Sequence, residues 1–246
     1  MNDRFPQLFW GLLVVSLGFV IMGFIVASGI NKAKRSNDVV TVTGSARRAV
    51  RSDFVVWSGS INSRAMTRED AYPGLVKHRE RVQKYLKSRN LPDSVITWGG
   101  VQSNEIREGK RSREGEYVEE FGGYNMWLQF TVRSTQVDSI DAIARDITAL
   151  VGEGLPLESQ PPQFYYNKLA DIRGDLLGEA TKDAKLRAEK IAESAGGKVR
   201  SVRSARMGVF QITAPNSRDV SDYGVYDTQT IDKDITSVVS VSFAVE

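Results

Sequence analysis

The sequence has no cysteine and only one histidine, His78. The first absence removes thiol nucleophiles, disulfides and cysteine-ligated zinc or iron–sulfur centres together. The second rules out HExxH and other multi-histidine zinc sites. A Ser-His-Asp arrangement would have to rest on His78, which falls on the apolar line of a predicted helix, the place of a packed structural residue. A Walker-type glycine loop with its lysine is also missing. Gly152-Glu153-Gly154 opens like a dinucleotide fingerprint, but Leu157 stands where the third glycine belongs, and the segment follows a helix rather than a strand. The acidic groups, Glu114, Glu116, Glu119 and Glu120 in one stretch and Asp219, Asp222, Asp227, Asp232 and Asp234 in another, lack the D-x-D-x-D-G spacing of a calcium loop. No cofactor or metal site and no catalytic residue is therefore expected, and the chain does not read as an enzyme.

A bulk excess of one charge is lacking too. The formal net charge of +3 lies wholly in the first 35 residues, where Arg4, Lys32, Lys34 and Arg35 face Asp3, and the rest of the chain is neutral. Nucleic-acid binding needs a basic face, so nucleic acid is not expected as a partner. What the chain does have is 41% hydrophobic and 26% charged residues over 246 positions, enough for one large or two small folded domains.

Its one long apolar run, Leu8 to Ile30, holds 23 uncharged residues. As an α-helix rising 1.5 Å per residue it spans the roughly 30 Å core of a bilayer. Phe9 and Trp10 at one end suit the interface. A cleaved signal peptide is the competing reading, but its apolar region is normally about 7–15 residues. The sequence thus divides into a tail (1–7), a transmembrane signal anchor (8–30), a linker (31–38) and a folded domain (39–246), with the lipid bilayer as a partner. Taken alone, Lys32, Lys34 and Arg35 favour a cytoplasmic position for the folded domain.

That domain alternates strand and helix patterns. Val39 to Gly44 and Phe54 to Ser63 predict strands, the second with Val55, Trp57 and Ile61 on one side. Thr67-x-x-Asp70 predicts the cap of a helix carrying Ala71, Leu75, His78, Val82 and Leu86, with Pro73 forcing a late start or a kink. Val95 to Ile106 and Tyr117 to Val132 predict a long hairpin with a charged tip at 107–115 and a bulge or bend at Gly122-Gly123. Thr135-x-x-Asp138 predicts the cap of a helix facing the core with Ile140, Ile143, Ile147 and Leu150. Leu155 to Tyr166 is extended, but Pro161-Pro162 confines it to an edge.

The longest helical pattern, Asn167 to Gly196, lines up Leu169, Ile172, Leu176, Ala180, Ala184, Ala188, Ile191 and Ala195, and Gly196-Gly197 ends it. Its small residues predict close approach to a sheet. Strands over Val199 to Met207 and Ile235 to Val245 close the chain around a polar loop, Ala214 to Asp234, long enough to be functional or mobile. Candidate interface residues are Lys110, Arg111 and Arg113 at the hairpin tip, Tyr165 and Tyr166 before the long helix, and Tyr223 and Tyr226 in the late loop. Tyrosine is enriched at protein interfaces, and a basic tip suits a subunit or headgroup contact.

These elements in this order resemble the SIMPL domain family. Val40-Thr41-Val42-Thr43-Gly44-Ser45-Ala46 is similar to its first strand and glycine turn, and Gly123-Tyr124 to its central hairpin. The helix words Ala180, Asp183-Ala184, Arg187-Ala188-Glu189, Ile191-Ala192 and Ala195-Gly196 resemble its alanine-rich segment, and Val238 to Val245 its closing strand. The resemblance implies an α+β fold, a mainly antiparallel sheet or sheets packed by three helices, here preceded by one transmembrane helix. It implies an extracytoplasmic domain, against the charge bias, and, for some members, large ring-like oligomers and a link to oxidative stress. It implies no catalytic residues. The expected function is a non-enzymatic protein of the bacterial inner membrane with a periplasmic domain, a homo-oligomer acting by self-assembly or scaffolding in stress tolerance. The alternative is an adaptor or ligand-binding module docking through 214–234 or 107–115.

Overall fold

The computed structural model of the chain describes residues 5–35, 38–111 and 117–246. The elements run α1 (Phe5–Arg35), β1 (Val39–Arg51), β2 (Phe54–Ala65), α2 (Arg68–Ser88), β3 (Ile96–Trp98), β4 (Gln102–Arg111), β5 (Tyr117–Ser134), α3 (Val137–Asp146), α4 (Ala149–Gly152), β6 (Leu157–Ser159), β7 (Gln163–Tyr165), α5 (Leu169–Ser194), β8 (Val199–Met207), β9 (Gln211–Thr213) and β10 (Asp232–Val245). The fold is α+β with antiparallel pairing, as the sequence predicts. The helix count differs, because the predicted second helix breaks into α3 and the single turn α4. One sheet orders β1-β10-β8 with β9 also on β10; the other orders β3-β5-β2-β6, with β4 on β5 and β7 on β2.

Helix α1 contains the apolar run and continues through Arg35, so the first part of the expected linker is helical. Phe9–Ser28 is long and apolar enough to cross a membrane. Every side chain in that span is exposed, with Phe24 at 78%. Apolar surface of that extent is unfavourable in water, and either a membrane anchor or a signal sequence accounts for it.

The chain divides into two compact units, Arg48–Arg173 with Gln211–Ile235, and Met1–Arg47 with Gly174–Phe210 and Thr236–Glu246. In the first, β2 alternates buried and half-buried residues along its length, which places Val55, Trp57 and Ile61 in the core at 0% exposure. Trp57 meets Phe130 of β5 edge-to-face at 5.3 Å between ring centroids. Helices α2, α3 and α4, with Ile147 at the end of α3, bring Leu75, Val82, Leu86, Ile140, Ile143, Ile147 and Leu150 into the same core. Thr67 caps α2, accepting from the Asp70 N–H, and the helix starts at Arg68 despite Pro73.

Three local expectations are corrected here. Val95 to Ile106 is not one strand: Asp93–Val95 is a 3-10 turn, β3 is short, and β4 begins only at Gln102. Residues 107–111 are not tip but strand, paired with 117–121. Thr135 does not cap α3; Gln136 is the cap residue, without a side-chain bond, and Ser134 Oγ instead accepts from the Gln136 N–H. The predicted bulge is present: Ile106 pairs Gly123 and Arg107 pairs Phe121, leaving Gly122 as the extra residue. Gly123 has φ +106°, and a Cβ there would sit 2.5 Å from the Ala65 carbonyl oxygen, so only glycine fits. Pro161-Pro162 separates the two short strands β6 and β7, as an edge segment requires.

The second unit is built on α5. Its buried residues are Leu176, Ala180, Ala184, Ala188 and Ala192, of which Ala180, Ala184 and Ala188 pack with Val42, Val239, Val241 and Phe243. The expected stripe is corrected at both ends: Leu169 and Ile172 are only half-buried, while Ile191 and Ala195 are exposed and Ala192 is buried in their place. The small residues let β1 approach closely. A Cβ at Gly44 would lie 2.2 Å from the Ala180 carbonyl oxygen and 2.3 Å from the Ala184 nitrogen, which no side chain can occupy. The helix ends in a Schellman turn, with Gly197 N–H donating to the Ala192 carbonyl at 2.8 Å and Gly196 at φ +76°.

Candidate interaction surfaces

The buried lysine and its carboxylate partner are engaged in structural bonds, whereas Ser52 Oγ, Tyr85 OH, Asn125 Oδ1 and Ser237 Oγ are buried without a partner among the described residues. Lys233, whose side chain is 0% exposed, donates to the Asp227 and Thr230 carbonyls at 2.7 Å each and to Asp227 Oδ2 at 3.1 Å. An ammonium has three donors, and all three are used. Burial pushes the Asp227 carboxyl up. The Thr230 hydroxyl, the Gln229 N–H and Lys233 outweigh burial, and Asp227 lies below the usual carboxylate range. His78 Nδ1 lies 2.9 Å from the Asn62 carbonyl, which fits a structural histidine. Asp183 on α5 accepts from the Ser45 N–H at 2.8 Å and from Arg187 Nε at 2.9 Å, and these contacts, Ser45 first, hold its carboxyl low. Among the described residues no group of three His, Asp or Glu side chains is placed to hold a metal.

The hairpin candidates fare unevenly. Lys110 is exposed on β4 but is paired with Glu120 at 2.8 Å, and that hydrogen bond and charge raise its pKa. Arg111 is the exposed last residue of β4. Arg113 lies outside the described residues, as do Glu114 and Glu116. Glu119 is 4.0 Å from Arg107, so the described acids of the hairpin sit in a charge-balanced ribbon.

The tyrosine candidates lie on β7 and in the late loop. Tyr165 and Tyr226 come together, with ring centroids 6.2 Å apart, and the Tyr165 hydroxyl donates to Gln163. Tyr166 is half-buried, and Tyr226 is 50% exposed. Tyr223 stands apart at 97% exposure, with Val220 at 79%. The turn that carries them is firmly held. Buried Gln211 donates through Nε2 to the Ser221 carbonyl at 2.7 Å and accepts the Val225 N–H through Oε1 at 2.8 Å. Gly224 N–H closes the turn on the Ser221 carbonyl, and Ile212 bridges Tyr226. Gln211 thus ties the loop at Ser221 and Val225, and Val220 and Tyr223 stand exposed beside those ties.

A second surface escaped sequence reasoning. Among the described residues β8 pairs only with β10, which leaves its other edge open. Met207 pairs with Val239, Ala205 with Val241 and Val202 with Phe243. Directly paired side chains share a face of the sheet, so these three lie on the face that α5 covers at Val239, Val241 and Phe243. On β8 that cover is gone: Val202 is 55% exposed and Met207 57%, and Ala205 is exposed as well. Arg200 pairs with Glu246, whereas Arg203 and Arg206 make no ion pair among the described residues. A signal existed in the sequence, since Val199-Arg200-Ser201-Val202-Arg203-Ser204-Ala205-Arg206-Met207 places arginine every third residue with no acid.

Residues 40–243 match the model of the SIMPL family, described as a protein of unknown function (DUF541). No curated protein matches the chain.

Proposed function

The chain belongs to the SIMPL family, and from that premise we propose that it is a membrane-anchored, non-enzymatic protein of the bacterial envelope that acts by self-assembly. In this reading α1 is an uncleaved anchor in the inner membrane, residues 39–246 lie in the periplasm, and the assembled protein serves as a scaffold in stress tolerance. The observation that carries it is the apolar strip Val202, Ala205 and Met207, which continues a core face past the helix that covers it. Exposed apolar surface next to an open strand edge is a contact surface awaiting a partner. Light scattering of the full chain in mild detergent at micromolar concentration tests the reading. The expected result is a particle several times the 27.3 kDa chain mass after correction for detergent; a strict monomer overturns it.

A second reading, an adaptor for a different protein, is favoured by Val220 and Tyr223 on their ordered turn. Replacing Val220 and Tyr223 by serine then abolishes capture of that partner while leaving particle size unchanged.

A further inference from the structure

We infer that the Val220–Tyr223 turn of one copy docks on the β8 strip of a second copy. This rests on the self-assembly reading and names the two surfaces that would carry it.

The strip has a definite chemistry. Val202, Ala205 and Met207 offer an apolar strip, and Arg203 and Arg206, which make no ion pair among the described residues, bring two cations to the same open strand. Two β8 edges brought together would juxtapose those arginines, and like charges facing each other across a strand pair are destabilising. The edge therefore selects against itself and for an apolar segment that carries acid. The turn has that chemistry: exposed Asp219 and Asp222 flank Val220 and Tyr223, with Arg218 as the one neighbouring cation. Asp222 makes no ion pair among the described residues, and the Asp219 carboxylate accepts only from the Ser217 hydroxyl, to whose oxygen the Asp219 N–H donates in turn.

The turn is also prepared for binding. Gln211 brackets it from both sides, and Lys233 ties down the loop's return at Asp227 and Thr230. Ordering entropy that normally opposes association is therefore already met in the free chain. A tyrosine at 97% exposure on a rigid support is the kind of side chain that dominates interface energetics once desolvated. Because turn and strand are different surfaces, each copy can both give and receive. Such a contact can be made reciprocally in a dimer or head to tail in a cyclic or extended assembly.

Mixed charge reversal in the detergent-solubilised full chain provides the test. D219R/D222R and R203D/R206D variants are each expected to assemble at least tenfold more weakly than wild type, since each sets like charges against like. Mixing the two variants restores opposite charges at every contact and is expected to recover wild-type particle size. Because the chain has no cysteine, Y223C and M207C chains mixed under oxidant should also form a disulfide between copies. Two variants that assemble as wild type does, with no such disulfide, overturn the assignment of these surfaces and leave self-assembly standing. A monomeric wild type overturns both. Circular dichroism of each variant, matching wild type, shows that the loss is of contact and not of fold.

Discussion

Replacing Lys233 with methionine removes the charge of the most deeply buried cation and keeps most of its apolar stem. Three bonds go with it: two to carbonyls at 2.7 Å and one to Asp227 Oδ2 at 3.1 Å. The Asp227 side chain, 14% exposed, is then left without its counter-ion. Breaking a buried pair from one side costs about 3–5 kcal/mol, mostly because the remaining charge stays desolvated. Asp227 keeps the Thr230 hydroxyl and the Gln229 N–H, so the low end applies, about 3 kcal/mol. For a chain of this size that corresponds to about 6–12 °C in Tm. Urea unfolding of K233M, followed by circular dichroism, reads the loss directly. Hydrogen exchange should locate the early opening at residues 227–233. The same pair sets a pH dependence. Asp227 is held low when folded, so its contribution is present above the ordinary carboxylate pKa and is lost as pH falls through the folded value. K233M should flatten that acid limb. A K233M protein within 0.5 kcal/mol of wild type, taken as roughly the limit for an ordinary surface change, would refute the account of this lysine as a structural pin.

Gly44→Ala forces a methyl onto backbone atoms of α5 at 2.2 and 2.3 Å, which cannot rotate aside, so a loss of about 3 kcal/mol is expected by chemical denaturation. Phe130→Ala empties the contact with Trp57 and should cost about 3–5 kcal/mol in the same assay. If Phe9–Ser28 is an uncleaved anchor, the full-length protein stays in the membrane pellet after alkaline carbonate washing; release into the supernatant would mark a cleaved leader. A reporter that is active only outside the cytoplasm, fused after Glu246, should be active if the domain is periplasmic, and an inactive fusion would favour the charge bias of Lys32, Lys34 and Arg35 instead.

Much of the fold was legible because periodicity and local punctuation agree. The alternation of β2 placed Val55, Trp57 and Ile61 correctly, and Gly122-Gly123 and Pro161-Pro162 marked a bulge and an edge for steric reasons that hold in any context. The misses have physical causes as well. Thr135 has the sequence of a cap, but Ser134 supplies the local bond and the helix starts a residue later than that cap requires. The late-loop site was half legible. Tyr223 and Tyr226 were named, but whether a long polar loop is ordered depends on partners distant in sequence, such as Gln211. Lys233 was missed although Ile231, Lys233 and Ile235 share one alternation, which would have placed a charge on an inward face. The arginine spacing of 199–207 was a signal for the β8 surface, but the exposure of its apolar strip could not be read from it, because that exposure depends on where α5 ends its coverage.

The long helix shows how a correct pattern can still have the wrong geometry. A stripe that mixes three- and four-residue steps stays on one side of a straight helix, and so Ile191 and Ala195 were expected inward. The buried set, Leu176, Ala180, Ala184, Ala188 and Ala192, steps by four throughout. Each such step overshoots a 3.6-residue turn by about 40°, so the buried line winds around the helix and the sheet crosses it obliquely, along an i+4 ridge. Ala192 thereby turns inward and Ile191 turns out. It lies beside Leu186, Arg187 and Lys190 in an open groove against Val42 and Thr43. Alanine at every buried step after Leu176 is what lets Gly44 meet the backbone of α5. Larger side chains there would lift the helix away and break the Ser45–Asp183 bond with it. The alanines are thus a spacing device, and the same thin cover is consistent with the core face continuing bare onto β8.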